Sequence, residues 1–519
     1  MPRYGVSVAF CFYHICAICI IDSIVAFVPS QLQHPYYRPS SILLKNRLRR
    51  LATAKGEPDR ADNNNVPSDA TLLASLKSRL AEIKTDRNAV IKRWREGKCT
   101  SAIRLALDDW IRRIDVAQWP LAVVGGASGC IYLADLSSGD ILVKTEDAHD
   151  SQGGDEEMLE QMFGNYDGGG MIDVAVGGPN GRLVASAGRE GGALAWRIGG
   201  SDSKDEEIFE CLGQLVSLEG LAVTCLNIDG EGLLWAGCYD GSVHCIHLAN
   251  LVEGEDPKHR KFQCDSSVLS IDVSEDIDLV AVGTSSGAIN LISSDEDHDE
   301  SKGKLRKLDT WIPKKGVPVR SIGIAPFPIA MCDINDGEND SSERDYESED
   351  EFAWSLVSGG YDGHMHTIPL KIDRDSGVIH EKLPLGEQAE INTVVMQPAH
   401  SGPVMCISYR KGGIILSGAQ DGTIRVWDST PRCASDAGIN QGVAKVAYDP
   451  VCLYGLGGYK VWLGSISTGG DGLRLISDGS DNTIVVHNFS QEGDEDSQEI
   501  EDDDFDNGGN NYDDETAFM

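Results

Sequence analysis

A tight turn that recurs seven times between two short strands is the feature that most constrains how this chain can fold. In each copy an apolar strand leads into an Asp-Gly turn, or a variant of it, and an alternating strand follows. One such hairpin is weak support for a fold, because these turns are common. Seven copies indicate a repeat protein whose small sheets bury their faces against each other. The turn residues are Ser128, Glu190, Asp240, Ser286, Asp362, Asp421 and Asp481.

The most complete copy runs from His400 to Asp428. Its predicted elements are a strand at Val404–Tyr409, a strand at Ile414–Ser417, a turn at Asp421 and Gly422, and a strand at Thr423–Trp427. Short β-branched segments around a tight turn are typical of one blade of a β-propeller.

This copy resembles the WD-repeat family residue by residue. In that family a His opens the blade, a Ser or Thr lies in the second strand, an Asp lies at the turn, and a Trp-Asp pair ends the third strand. The matching residues are His400, Ser417, Asp421 and Trp427, and Asp428 completes the pair. The resemblance implies that the four side chains form one hydrogen-bonded chain, which we call the tetrad. It also implies that they are structural and not catalytic.

The resemblance and the seven turns predict an all-β fold, a seven-bladed WD-repeat β-propeller with an N-terminal helical arm. The copies are unequal, since only the His400 copy keeps all four family residues. The predicted domains are a signal peptide (1–26), a transit peptide (27–55), a linker and helical arm (56–113), the propeller (114–490) and a disordered acidic tail (491–519).

The N-terminal 55 residues carry two consecutive targeting patterns. An apolar segment from Val6 to Ile21 precedes Ala26, as in a secretory signal peptide. The next segment, Phe27 to Lys55, is basic, contains serines and has no acidic residue, as in a transit peptide. Together they resemble the bipartite presequence of algae with red-lineage secondary plastids, in which a Phe after the signal cleavage site directs import to the stroma. The resemblance implies a cleavage junction at Ala26 and Phe27 and a stromal location. A membrane anchor and a secretory-pathway propeller are the alternatives.

The arm contains an amphipathic pattern from Ala70 to Arg95, which predicts a helix. Two interpretations are open: the helix packs against the propeller, or it is a free docking handle. The tail from Gln491 to Met519 has thirteen acidic residues and no Lys or Arg, which is typical of a disordered segment.

Composition limits the function classes. The 82 acidic and 45 basic residues give a formal net charge of −37, which disfavours nucleic acid as the main ligand and favours protein partners, including partners with basic surfaces. The scattered cysteines indicate neither disulfides nor a zinc site. His pairs such as His364 and His366 lack further ligands at matched spacing, so we expect no metal and no cofactor.

We therefore expect a non-catalytic scaffold that holds proteins together in a plastid complex, with no membrane span in the mature chain. The alternative is a propeller enzyme or a small-ligand binder that uses the central channel, since fold alone does not decide function.

Overall fold

The computed structural model describes residues 89–146, 148–149, 171–189, 191–199, 208–252, 258–294, 305–328, 352–370, 393–410, 412–430, 432–433, 446–447, 449–460, 463–469, 472–479 and 482–490. The targeting segments with Ala26 and Phe27, the first part of the arm and the acidic tail lie outside these residues.

Thirty strands dominate the described residues. In chain order they are β1 Thr100–Ala106, β2 Ile111–Gln118, β3 Leu121–Gly126, β4 Ile131–Asp135, β5 Asp140–Thr145, β6 Met171–Gly177, β7 Leu183–Gly188, β8 Ala193–Ile198, β9 Phe209–Gln214, β10 Val223–Ile228, β11 Leu233–Cys238, β12 Ser242–His247, β13 His259–Gln263, β14 Val268–Ser274, β15 Leu279–Thr284, β16 Ile289–Ser293, β17 Lys307–Trp311, β18 Val319–Pro328, β19 Phe352–Gly360, β20 Met365–Pro369, β21 Val394–Met396, β22 Val404–Arg410, β23 Ile414–Ala419, β24 Ile424–Asp428, β25 Arg432–Cys433, β26 Val446–Ala447, β27 Val451–Leu456, β28 Ile466–Ser467, β29 Arg474–Asp478 and β30 Thr483–Asn488. Helical segments are residues 89–96, an α-helix at Leu248–Val252 and 3-10 turns at Pro179–Gly181, Val216–Leu218 and Glu275–Ile277.

The strands form seven four-stranded antiparallel sheets, so the predicted seven-bladed all-β propeller is confirmed. Blades 1 to 5 are β2–β5, β6–β9, β10–β13, β14–β17 and β18–β21, and blade 6 is β22, β23, β24 and β27. The first strands of neighbouring blades contact each other around the ring, and β28 contacts both β22 and β2. The first strands therefore surround the central channel, and the ring is closed.

Blade 7 is completed from the other end of the described chain. β1 pairs antiparallel with β30, with Thr100 opposite Asn488 and Ser101 opposite His487. The propeller thus begins at Thr100, and the predicted boundary at residue 114 was too late. β1 was missed because it is an outer strand with almost no buried face, so it lacks an apolar alternation.

The antiparallel order gives the ring two distinct faces. Turns between second and third strands, and connections between blades, lie on one face, which we call the top face. Turns between first and second strands, and between third and fourth strands, lie on the opposite, bottom face. All first strands begin at the top face and run down along the channel.

Side-chain hydrogen bonds join the first strands at all seven blade junctions. The bonds, from the blade 1–2 junction round to the blade 7–1 junction, are Asp115 to Val176 N (2.7 Å), Asp173 to Leu226 N (2.8 Å), Thr224 to Val268 O (2.7 Å), Asp272 to Ile324 N (2.7 Å), Ser321 to Val404 O (3.3 Å), Thr468 to Tyr409 O (3.4 Å) and Ser465 to Ile114 O (2.8 Å). Each net bond contributes about 1 kcal/mol, and a buried group left without its partner costs more. The polar residues that line the channel thus hold the ring together.

Residues 89–96 dock on the bottom face at blades 6 and 7. Trp94 is fully buried and stacks on Phe489 with the ring centroids 3.7 Å apart. Its Nε1 donates to the Gly472 carbonyl at 3.1 Å, and Arg95 Nε lies 3.2 Å from Asp428 Oδ2. For the described part of the arm, the docked interpretation is the right one. No helix among the described residues is long and apolar enough to cross a bilayer.

Candidate functional site

The structure brings the four predicted tetrad residues of blade 6 together. His400 Nδ1 lies 3.1 Å from Asp421 Oδ2, and His400 Nε2 lies 2.8 Å from Ser417 Oγ. Trp427 Nε1 donates to the same hydroxyl at 3.0 Å. Ser417 and Trp427 are fully buried. The chain of bonds fixes the turn to the second and third strands, and none of the four residues lines the cavity described below.

Burial and nearby charge shift the pKa values of His400 and Asp421 in opposite directions. Burial lowers the pKa of His400, although the Asp421 carboxylate partly offsets this. For Asp421, burial raises the pKa, but hydrogen bonds from Thr423 and Ser401 and the charge of His400 outweigh it, so its pKa lies below the usual range. Asp421 is therefore an ionised acceptor at neutral pH, as a turn-fixing residue needs to be.

Two further blades carry related networks that the sequence reasoning missed. In blade 2, His149 Nε2 and Trp196 Nε1 each lie 2.8 Å from Ser186 Oγ. In blade 7, Tyr459 takes the place of the opening His: its hydroxyl lies 3.0 Å from Ser477 Oγ and 2.7 Å from His487 Nε2. In blade 2 the sequence signal for this network was a His upstream of Ser186 and Trp196. His149 lies 37 residues before Ser186, whereas His400 lies only 17 residues before Ser417.

The predicted turn residues lie at the top face. Ser128, Asp240, Ser286, Asp362 and Asp421 are each between the second and third strands of a blade, whereas Glu190 and Asp481 lie outside the described residues. The residue after each turn position has φ between 62° and 90°, at Gly129, Gly191, Gly241, Gly287, Gly363, Gly422 and Asn482. At Gly363, an added Cβ would lie 2.4 Å from the His400 carbonyl oxygen, so only glycine fits.

A cavity of about 180 Å³ opens at the top end of the channel, and we call it the channel mouth. It is lined by residues of blades 1, 2, 5, 6 and 7 that lie where first strands begin or second strands end. The lining residues are Trp110, Ile111, Arg112, Arg113, Met171, Ile172, Arg189, Arg320, Met405, Gly464 and Asp478. Four arginines against one lining carboxylate make this mouth basic in a chain whose net charge is −37.

Arg113 is held by the wall of the channel. Its Nε donates to Asp173 Oδ1 at 3.1 Å, and its Nη1 donates to the Gly464 carbonyl at 2.9 Å. Asp478 accepts the Gly464 N–H at 2.8 Å, and burial raises the pKa of Asp478 to about 6. Arg113 and Asp478 therefore use these hydrogen bonds to hold the channel wall together and are less suited to bind a ligand.

Arg320 has a different environment. Its Nε is buried and has no hydrogen-bond partner among the described residues. Burial lowers its pKa, and the charge of Arg113 lowers it further, while Asp173 acts in the opposite direction. A buried guanidinium N–H without an acceptor is costly, and Arg93 Nε and Arg104 Nε share this feature elsewhere in the described residues.

Exposed apolar side chains also lie on the top face. Of the ten large apolar residues that are exposed among the described residues, five lie on top-face loops and are 42% to 78% exposed: Trp110, Val216, Tyr239, Ile312 and Tyr361. Arg112 lies over the Trp110 ring, 5.0 Å from its centroid. Aromatic residues and Arg are the side chains enriched at the centres of protein interfaces.

The described residues offer little that could bind a metal ion. No group of three or more His, Cys, Asp or Glu residues there is placed to hold a metal ion. His244 Nδ1 lies 2.8 Å from His259 Nε2, so these two imidazole rings are hydrogen-bonded to each other. Nine of the described cysteines are free thiols, and burial raises the pKa of Cys225 and Cys406 well above the ordinary value, which makes those thiols inert.

Fold and turn geometry thus define a seven-bladed β-propeller, and comparison with known proteins adds one family match. The model of the WD40 family, described as "WD domain, G-beta repeat", matches residues 391–428, which include the whole tetrad. A solved structure titled "Structure of U3-55K" is similar at 12% identity and a TM-score of 0.46, over 75% of this chain and 98% of that one. No match was found among curated proteins.

Proposed function

We propose that the chain is a non-catalytic scaffold that binds partner proteins through its top face. The observation that carries this proposal is that five of the exposed large apolar side chains lie on top-face loops. A group of exposed aromatic and aliphatic residues on a soluble fold is typical of an interaction surface. WD40 propellers as a class mediate protein interactions, which agrees with the match at residues 391–428.

The construction of the ring supports this assignment. Side-chain bonds at all seven junctions fix the blades, so the top-face loops are held in place before a partner arrives. Preorganisation of this kind reduces the entropy lost on binding. On the bottom face, part of the surface is already covered by residues 89–96, whose Trp94 is fully buried.

The test compares two pairs of exposed residues. The chain and two double variants are used to recover partners from plastid extract: Tyr239→Ser with Tyr361→Ser on the top face, and Ile141→Ser with Val395→Ser on outer strands. All four side chains are 43% to 49% exposed, so both variants should fold. We expect the top-face variant to lose the partners that the outer-strand variant keeps. Equal recovery by both variants would contradict the proposal.

The scaffold is proposed to act in a plastid complex. What supports this is the sequence of residues 1–55, with Ala26 and Phe27 at the junction. A reporter fused to Met1–Lys55 should accumulate in the stroma of an alga with red-lineage secondary plastids. Phe27→Ala should stop it between the envelope membranes with signal cleavage intact. Secretion of the unmutated reporter would replace this proposal with the secretory-pathway alternative.

A further inference from the structure

Two blades carry the same dipeptide at the top-face turn. Tyr239 precedes Asp240 in blade 3, and Tyr361 precedes Asp362 in blade 5. A glycine with positive φ follows in both blades. The tyrosine side chains are 47% and 49% exposed. The two turns are therefore equivalent positions that can be compared directly.

The connections that enter these two blades also match. Residues 215–222 enter blade 3, and residues 312–318 enter blade 5. The last residue of each connection accepts the N–H of the turn tyrosine, at 2.9 Å in blade 3 and at 3.3 Å in blade 5. A glycine with φ of 70° or 76° precedes that acceptor by two residues. Each connection therefore brings the same positions next to its Tyr-Asp turn.

The two connections differ in charge. In blade 5 the connection supplies Lys314, whose Nζ lies 2.6 Å from Asp362 Oδ2. In blade 3 the position equivalent to Lys314 is Leu218, which is fully buried, and the exposed residue after it is Glu219. Residues 215–222 contain no Lys or Arg. The turn of blade 5 thus has a lysine from its own chain, and the turn of blade 3 has none from its connection.

Asp240 is ionised and bonded to uncharged groups. Its carboxylate accepts the N–H of Ser242 at 2.8 Å and the hydroxyl of the same residue at 2.6 Å. Burial raises the pKa of Asp240, but these bonds and the charges of Lys261 and His244 outweigh it, so this pKa lies below the usual range. Lys261 lies on the outer strand β13, and the described residues show no ion pair between it and Asp240. The carboxylate therefore keeps its negative charge at neutral pH.

Acidic and apolar side chains flank this turn. Glu219 lies in the connection that enters blade 3, and Asp265 lies in the connection that leaves it, which bonds back to the turn at 2.8 Å. Both are exposed, and Val216 is 78% exposed. The turn and the two connections together contain three acidic residues and no Lys or Arg. We call the following set the blade 3 patch: Val216, Glu219, Tyr239, Asp240 and Asp265.

We propose that the blade 3 patch binds a segment of a partner protein that contains lysine or arginine, with the cation held between the Tyr239 ring and the Asp240 carboxylate. This rests on the proposed scaffold function and names the chemistry of the recognised segment. In blade 5 the chain's own Lys314 occupies the equivalent place. A tyrosine ring attracts a cation to its face, and the exposed Val216 suits the apolar stem of a lysine. The net charge of −37 also favours the approach of a basic segment.

The test is a titration of the full chain with a fluorescent nine-residue peptide in which Lys, Leu and Gly repeat, followed by anisotropy. The matched peptide replaces each Lys with Gln. The patch variants are Asp240→Asn and Glu219→Gln, and each is first checked by thermal unfolding. The control variant is Asp362→Asn, which makes the same charge change at the equivalent turn, where Lys314 already occupies the site.

We expect the Lys peptide to bind and the Gln peptide to bind at least about ten-fold more weakly. Asp240→Asn should weaken the Lys peptide about ten-fold, and Glu219→Gln about three-fold, because an exposed ion pair contributes less. Asp362→Asn should bind like the unmodified chain. If Asp240→Asn does not fold, Glu219→Gln carries the test, because its side chain is exposed.

Three outcomes would overturn the inference. One is equal weakening by Asp362→Asn, which would show binding by general charge. Another is equal binding of the Gln peptide, which would make the patch purely apolar. The third is self-association of the chain, seen by sedimentation, that Asp240→Asn abolishes, which would make the occupant a second copy. The recovery of partners in the Tyr239 and Tyr361 experiment does not depend on the partner's charge, so the scaffold proposal stands or falls separately.

Discussion

The two faces of this ring differ in the type and the burial of their side chains. On the bottom face, residues 89–96 lie against blades 6 and 7, and Trp94 is fully buried against Phe489. On the top face, Trp110 is 42% exposed beside a mouth lined by arginines. Burial of large apolar groups stabilises a fold, whereas exposed aromatic and cationic groups do little for stability and suit recognition. The two faces therefore differ in the burial of their large side chains, and the exposed top face is the one on which we propose that partners bind.

The largest difference in unfolding free energy should come from replacing one tryptophan on each face with alanine. Trp94→Ala removes the buried stack on Phe489 and the bond from Nε1 to Gly472, so it should cost about 3–5 kcal/mol of unfolding free energy. Trp110→Ala on the top face should cost clearly less, about 1–2 kcal/mol, because the residue is already 42% exposed. Denaturant unfolding of both variants measures the difference. Similar losses would break the comparison.

The next effect is a pH dependence at the closure of blade 7. His487 contacts Ser101 of β1 at 2.6 Å, and burial lowers its pKa to about 4. The unfolded chain, with a His pKa near 6.5, binds more protons between about pH 4 and pH 6.5, so the stability from neutral His487 is present above that window and lost as pH falls through it.

The loss at His487 should reach the order of 3 kcal/mol, because one pKa unit corresponds to about 1.4 kcal/mol. The measurement is the unfolding free energy of the chain minus that of His487→Gln, taken from pH 4 to pH 7. A difference that is flat across this range would contradict the account. The subtraction is needed because Asp115 and Asp272, whose pKa values are raised by burial to about 6, act in the opposite direction in both proteins.

A smaller effect is expected at the turn of blade 6. Asp421→Ala removes the acceptor for His400, Ser401 and Thr423 and should cost about 1–3 kcal/mol. Asp240→Ala in blade 3 is the control, because among the described residues the Asp240 carboxylate accepts from the N–H and hydroxyl of Ser242 alone, so its loss should cost less. Thermal unfolding of both variants tests whether the full tetrad outweighs an isolated turn acid. An equal loss would show that it does not.

These contrasts also show what the sequence can and cannot predict. The seven turns and the tetrad lie within short segments, so their spacing along the chain is close to their spacing in the blade. His149 was missed because a long insertion separates it from Ser186. The mouth was missed because Arg112, Arg189 and Arg320 are on different blades and meet only when the ring closes.

The same reasoning explains the missed start of the propeller. β1 is an outer strand whose Ile103 is 65% exposed, so its sequence carries no buried face that a period-two pattern could reveal. Its place is fixed by pairing with β30 at the far end of the described chain. Long-range pairings of this kind leave no local signature.

The smallest expected effect on stability is at the mouth itself. Arg112→Ala and Arg474→Ala should each change the unfolding free energy by less than about 0.5 kcal/mol, because both side chains are partly exposed over tryptophan rings. Chemical denaturation of the two proteins checks this. A marked loss from Arg112→Ala alone would mean that the top face also contributes to closure.

The division between the faces is tested most directly by hydrogen–deuterium exchange of the full chain with and without a partner protein recovered by affinity purification. The account predicts slower exchange at residues 110–113 and 319–321, which border the mouth, and unchanged exchange at residues 89–96 on the bottom face. Slower exchange at 89–96 with no change at the mouth would contradict it.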